Sequence, residues 1–251
     1  MLLNKCKKTA CMILIDMEEG DLQMEISAKF KKVCSIFCCL LLSTLLMALF
    51  GCADKKSEAA DLMAEGSYQE ALEIYSGLEQ DEEVEKAMSE CRYLLFLDYL
   101  KQEGGATYTA PDKSYTVSVG KSGENGLQCT YSFKTEESIY ASMGQTLVVA
   151  VAYGDSDATL NASAEMNILN GKTKEKATGK LNLLDYTEGE QIEWDSISSE
   201  TIDIHGNPNT VEPSLLSNNA EMIKRAVNGL ESIAKKSGTE VTMADFGFAN
   251  L

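Results

Sequence analysis

The hydrophobic period of the chain changes at Gly104-Gly105, and that change limits its fold more than any other feature. Before the pair, apolar residues recur every three or four positions; after it they recur every second one. A period of two cannot be laid down as a helix with one apolar face, so the chain needs a helical part followed by a sheet. Tyr115, Val117 and Val119 alternate with polar residues, Gly120–Gly126 is rich in turn residues, and Leu127, Cys129, Tyr131 and Phe133 alternate again. Thr146–Tyr153 is nearly continuous in apolar residues, as a central strand would be. After Gly154–Asp157, the residues Leu160, Ala162, Ala164, Met166 and Ile168 share one face. Asn170-Gly171 then turns the chain into a strand at Ala177–Tyr186, and Glu188-Gly189 turns it into Gln191–Trp194. The reading is an antiparallel meander of about six strands, with Asn161, Ser163, Glu165, Asn167, Lys180 and Asn182 on a wet face.

The period returns to helical after Pro213, which presets a first turn. Leu215, Leu216, Asn219, Met222, Ile223, Ala226, Leu230 and Ile233 form one stripe, and Gly238 can end the helix. Thr242 and Asp245 have capping-box spacing, and Phe246 and Phe248 can pin the tail to the core. The expected class is α+β: a short helical hairpin, then an antiparallel sheet (106–251) covered by one long C-terminal helix.

Residues 57–103 carry the helical hairpin. Leu72, Tyr75 and Leu78 mark one helix, and Val84, Met88, Cys91, Leu95 and Tyr99 mark the next, read as Glu82–Leu100. Ser67 can cap the first of these. Leu94–Leu97 make the second apolar nearly all round, so it packs on more than one neighbour. Gly66, Tyr68, Ala71 and Tyr75 together resemble the centre of a tetratricopeptide repeat. The resemblance implies a tight turn at Gly66, covered by Tyr68, and a close helix approach at Ala71. It spans about one repeat, because Ala106-Thr107 stands where a second repeat would continue. Stacked repeats need neighbours, about three for an independent array. The unit is therefore either a protein-interaction module or a helical spacer.

Ahead of this lies Lys29–Cys52, with Lys29, Lys31 and Lys32 preceding an unbroken apolar run from Val33 to Phe50. A basic flank before an apolar segment is the layout of a secretory signal. Leu49-Phe50-Gly51-Cys52 resembles the lipobox of bacterial lipoproteins. The resemblance implies cleavage between Gly51 and Cys52, a diacylglyceryl thioether on Cys52, and a mature chain held at the extracytoplasmic face of the cell membrane. Two acyl chains, at about 0.8 kcal/mol per buried methylene, anchor firmly where one is marginal. An uncleaved anchor helix is the alternative, since the run is long enough to span. Met24 would give an ordinary basic start. The expected organisation is an upstream extension over 1–23, a signal peptide over 24–51, a lipidated tether over 52–56, and then the two folded parts.

Residues 1–51 hold 6 of the 22 basic and 5 of the 39 acidic residues, which leaves a net charge of −18 from Cys52 onward. Such a surface repels nucleic acid, so none is expected as a partner. Of the eight cysteines only Cys52, Cys91 and Cys129 follow the apolar run. There is no C-x-x-C pair; Cys91 and Cys129 read as buried thiols, or as one bridge.

No catalytic, metal or cofactor residue is predicted. His205 is the single histidine and stands in a loop-like stretch with no nucleophile motif. Gly120-Lys121-Ser122 looks like the tail of a phosphate loop, but Tyr115 occupies the upstream glycine position. Asp155-Ser156-Asp157 begins like a calcium loop, but Leu160 and Met166 occupy places that need a glycine and an acid. Glu188, Glu190, Glu193 and Asp195 read as solvated carboxylates, and Tyr186 and Trp194 as sheet aromatics. The functional expectation is a membrane-anchored, non-catalytic binding or structural module with a protein partner. A carrier of lipid or a small hydrophobic ligand, in a cavity between sheet and helix, is the first alternative. An unrecognised hydrolase is the second.

Overall fold

The computed structural model describes residues 55–138, 141–169 and 171–251. The segment carrying Lys29–Gly51 and Cys52 lies outside them, as does Asn170. The chain divides into Met1–Lys55 and Lys56–Leu251. The second unit is α+β, with an eight-stranded open sheet.

Three helices come first: α1 over 55–65, α2 Tyr68–Ser76 and α3 Glu82–Glu103. Gly66 makes the α1–α2 turn at φ 84°, a conformation that side chains resist. The Ser67 side chain makes no capping bond, contrary to expectation; the turn is closed by backbone bonds from Gly66 N to Met63 O and from Ser67 N to Leu62 O. The cap lies on α3, where Asp81 accepts from Val84 N at 2.8 Å. Ala59, Ala71, Leu72, Tyr75, Val84 and Cys91 form one apolar cluster among these helices. The rest of α3 (Tyr93, Phe96, Leu97, Leu100) belongs to the sheet's core instead. That sharing explains why the helix is apolar nearly all round.

The strands are β1 Ala106–Thr109, β2 Tyr115–Ser122, β3 Gly126–Ser138, β4 Ala141–Ala152, β5 Asp157–Ile168, β6 Gly171–Asn182, β7 Ser196–Asp203 and β8 Pro208–Thr210. Every pairing is antiparallel and the spatial order is the chain order. Six strands were expected; the additional β1 and β8 are short edges, and alternation is weak evidence over three or four residues. Gly120–Ser122, read as a turn, extends β2. Gln191–Trp194, read as a strand, is irregular. Its polar groups go to a different partner: Ile192 N donates to Asn219 Oδ1 at 3.0 Å, Asn219 Nδ2 donates to Ile192 O at 2.9 Å, and Trp194 Nε1 donates to Leu216 O at 2.8 Å. The seventh strand follows it.

The C-terminal helix α4 runs Ala220–Ser237, not from Pro213. The residues between are claimed by a carboxylate in the sheet. Glu175 accepts from Ser214 N at 2.6 Å and Leu216 N at 2.8 Å, which holds 211–219 as an irregular strap. The main contacts of α4 are with β1 to β4. Gly229 rests directly on Val117, where an added Cβ would meet a methyl at 2.4 Å. One helix therefore does not cover the sheet. The strap and the chain after β6 help close the remaining strands, with Leu183 and Leu216 fully buried and Tyr186 edge-on to Phe248 at 5.8 Å.

Candidate functional site

The two faces of the sheet differ in kind. The covered face is apolar: Leu147 and Val149 on β4, Leu160 and Ala162 on β5, Ala177 and Leu181 on β6. The cavity between this face and α4, lined by Leu127, Cys129, Val149, Ala226 and Leu230 among others, measures about 10 Å³. That is room for no more than one water. Cys91 and Cys129 are free and buried, in separate clusters. Burial pushes the Cys91 thiol up to about 11 and the Cys129 thiol up to about 12. Neither is a thiolate near neutral pH, so neither is an activated nucleophile.

Two acidic residues inside the core were not anticipated. Glu175 is 1 % exposed and also accepts from Ser199 Oγ at 3.1 Å. Its position is in phase with Ala177, Gly179 and Leu181, so an acid on an apolar face was the available signal. Asp245, at the 3₁₀ turn Ala244–Phe246, takes a two-pronged contact from Arg92 (Nε 3.0 Å, Nη2 2.8 Å) and accepts from Thr242 N at 2.8 Å. Burial alone would raise its pKa. The hydrogen bonds from Arg92 and the Thr242 N–H outweigh burial and hold it below the usual carboxylate range. Both acids are structural: each has its oxygens turned to backbone, hydroxyl or guanidinium donors.

The other residues singled out from sequence do not converge. His205 is exposed in the β7–β8 turn, its backbone N–H donating to Asp203 Oδ1 at 2.8 Å. Glu188 pairs with Lys224 at 2.9 Å, and Glu190, Glu193 and Asp195 are exposed. Trp194 lies over Gly179, whose missing side chain makes room for the ring. Ala71 and Tyr75 are buried, Tyr68 is partly exposed, and Gly66 is at the turn. Among the described residues no group of three or more His, Cys, Asp or Glu could hold a metal ion.

Among the described residues nothing covers the second face of the sheet, which is polar. Register places Thr116, Ser132, Thr146, Ser163, Lys176 and Ser198 in one row across it. The adjacent row is Ser118, Thr130, Val148, Asn161, Thr178 and Ser196, and the next is Gly120, Gln128, Ala150, Thr159 and Lys180. At the β1–β3 side a shallow polar cleft of about 480 Å³ opens between the end of α3 and the sheet, lined by Gly104, Gly105, Thr107, Gly120, Lys121 and Gln128 among others. The wet face was legible in sequence; the cleft was not, because it depends on β1 pairing beside β2. Comparison of the chain with family models, with curated proteins and with solved structures gave no match.

Proposed function

We propose that this protein is a lipid-anchored, extracytoplasmic lipoprotein that acts as a non-catalytic binding module. The filled interior between sheet and helix carries the reading. With about 10 Å³ there, ligand contact belongs to the outer surfaces. The anchor is the diacylglyceryl thioether on Cys52, after cleavage at Gly51, and rests on the resemblance of Leu49–Cys52 to a lipobox. The helices α1–α3 are the tetratricopeptide-like part and offer the surface for a protein partner. Supporting this, Gly66 is left-handed, Ala71 is fully buried at the α2–α3 contact, and Tyr75 is buried beside it.

Metabolic labelling with radioactive palmitate tests the anchor. The wild-type chain takes up label and sediments with membranes, whereas Cys52→Ser does neither. Label retained in Cys52→Ser would overturn the anchor. Affinity isolation from detergent-solubilised membranes tests the module: a stoichiometric protein lost on Tyr68→Ala supports it, and an eluate unchanged by that substitution counts against it.

A further inference from the structure

The open face of the sheet is richer in lysine than the helical part of the chain, although Asp157, Glu165 and Glu200 also lie on it. Residues 57–103 carry 13 acidic and 3 basic residues. Strand β6 has lysines at 172, 174, 176 and 180, and its single acid, Glu175, faces the covered side. Every charge that β6 shows on the open face is therefore positive. Lys172 is paired with Glu165, and Lys174 lies opposite Glu165 and Glu200 in register. Lys176 has Ser163 and Ser198 beside it, and Lys180 has Thr159. Both lysines are exposed, and among the described residues neither has a carboxylate partner. At the other side, none of the residues lining the cleft is acidic, and Lys121 is its one charged group.

Register ties these ends together. The row that starts at Gly120, in the cleft wall, ends at Lys180. Four strand spacings separate them, about 19 Å. Between them lie Gln128, Ala150 and Thr159, flanked by Thr130, Asn161 and Thr178. The result is a polar track that starts in the cleft and runs across the open sheet, edged by hydroxyls and amides.

We propose that this track binds a linear anionic polysaccharide. Hydroxyls and amides both donate and accept, which matches a polyhydroxylated chain, and two unpaired ammonium groups match its negative charge. The other polymers fit poorly. The open-face positions of β2 to β7 hold no aromatic side chain on which bases could stack. A protein interface wants a dry apolar centre, and this face has only Val148 and Ala150 near its middle. An added peptide strand would use an edge, not a face. The site deepens the binding-module reading and rests on it only in being a place that binds without reacting.

The test uses the full chain in detergent, with polygalacturonate as probe and affinity electrophoresis as readout. Retardation by polygalacturonate, with none by neutral dextran, is expected. Lys176→Gln with Lys180→Gln should weaken retardation at least tenfold, and Lys86→Gln with Lys101→Gln on α3 should leave it unchanged. Gly120→Val supplies an independent handle. An added Cβ there meets nothing within 4 Å, so the variant should melt like wild type yet bind more weakly. No retardation, equal retardation by poly-L-glutamate, or full binding by the Lys176/Lys180 variant would each overturn the proposal. Cys52→Ser should bind polygalacturonate as wild type does, so failure of the anchor and failure of the track read out separately.

Discussion

Asp245 shows how far a single residue can organise this chain. Its side chain is 2 % exposed and bridges the Arg92 guanidinium on α3 to the Thr242 N–H. Removing one partner of such a buried pair costs roughly 3–5 kcal/mol, because the other charge is left without compensation. Arg92→Ala should lower the unfolding free energy from urea titration by that amount, and Asp245→Asn by somewhat less. The pair also sets an acid limit. The folded-state pKa of Asp245 is depressed, so its contribution is complete above the unfolded value, about 3.9, and is lost as pH falls through the depressed one. Wild type should therefore lose stability below about pH 4 more steeply than Asp245→Asn, as measured by denaturant titrations between pH 3 and 6. The thiols make a second residue-scale prediction. With pKa values near 11 and 12 and no exposure, Cys91 and Cys129 should react with a disulfide reagent only on unfolding, while both titrate at once in denaturant.

At the scale of elements, helix α4 and the strap meet the sheet by opposite means. Helix α4 uses shape: Gly229 lets its backbone come down onto Val117. Gly229→Ala gains up to about 1 kcal/mol of helix propensity. The clash at 2.4 Å makes the net effect a loss of about 1–3 kcal/mol, visible as a lower thermal midpoint. The strap uses hydrogen bonds, most of them to side chains: Glu175 to two backbone N–H groups, Gln145 Nε2 to Leu215 O at 3.0 Å, and Trp194 to Leu216 O. Glu175→Ala should cost about 3 kcal/mol, since two buried donors, Leu216 N and Ser199 Oγ, lose their acceptor. Glu175→Gln should cost less. These contacts also explain what could be read from the residues alone. Strands β2 to β6 announced themselves because each buries one face, which writes a period of two into the chain. The start of α4 was placed seven residues early, because 213–219 has helical apolar spacing and its N–H groups go to an acid about forty positions upstream. Strand β7 was placed too early for a related reason: Asn219 satisfies the backbone of Ile192 from outside any ladder. The polar face was visible as a list of residues, but its rows, and the cleft at their end, exist only once register is set.

At the scale of the whole molecule, α3 is the shared wall of two apolar clusters, one among the helices and one under the sheet. The helical cluster has six buried residues and the sheet cluster is several times larger. Buried contact density of this kind grades local stability. Amide exchange should therefore be fastest in α1 and α2, intermediate in α3, and slowest in β3 to β6, with α3 protected mainly on its Tyr93–Leu100 side. Equal protection throughout 55–251 would show one undivided core.

Arg92 and Asp245 are 153 positions apart in sequence. A ribosome or a translocon delivers the arginine long before its partner exists. Until then, a helix waits with an unanswered cation. Only the emergence of Asp245 answers that charge. Any clipping or premature stop that removes Asp245 should thus be felt first on α3, around Arg92.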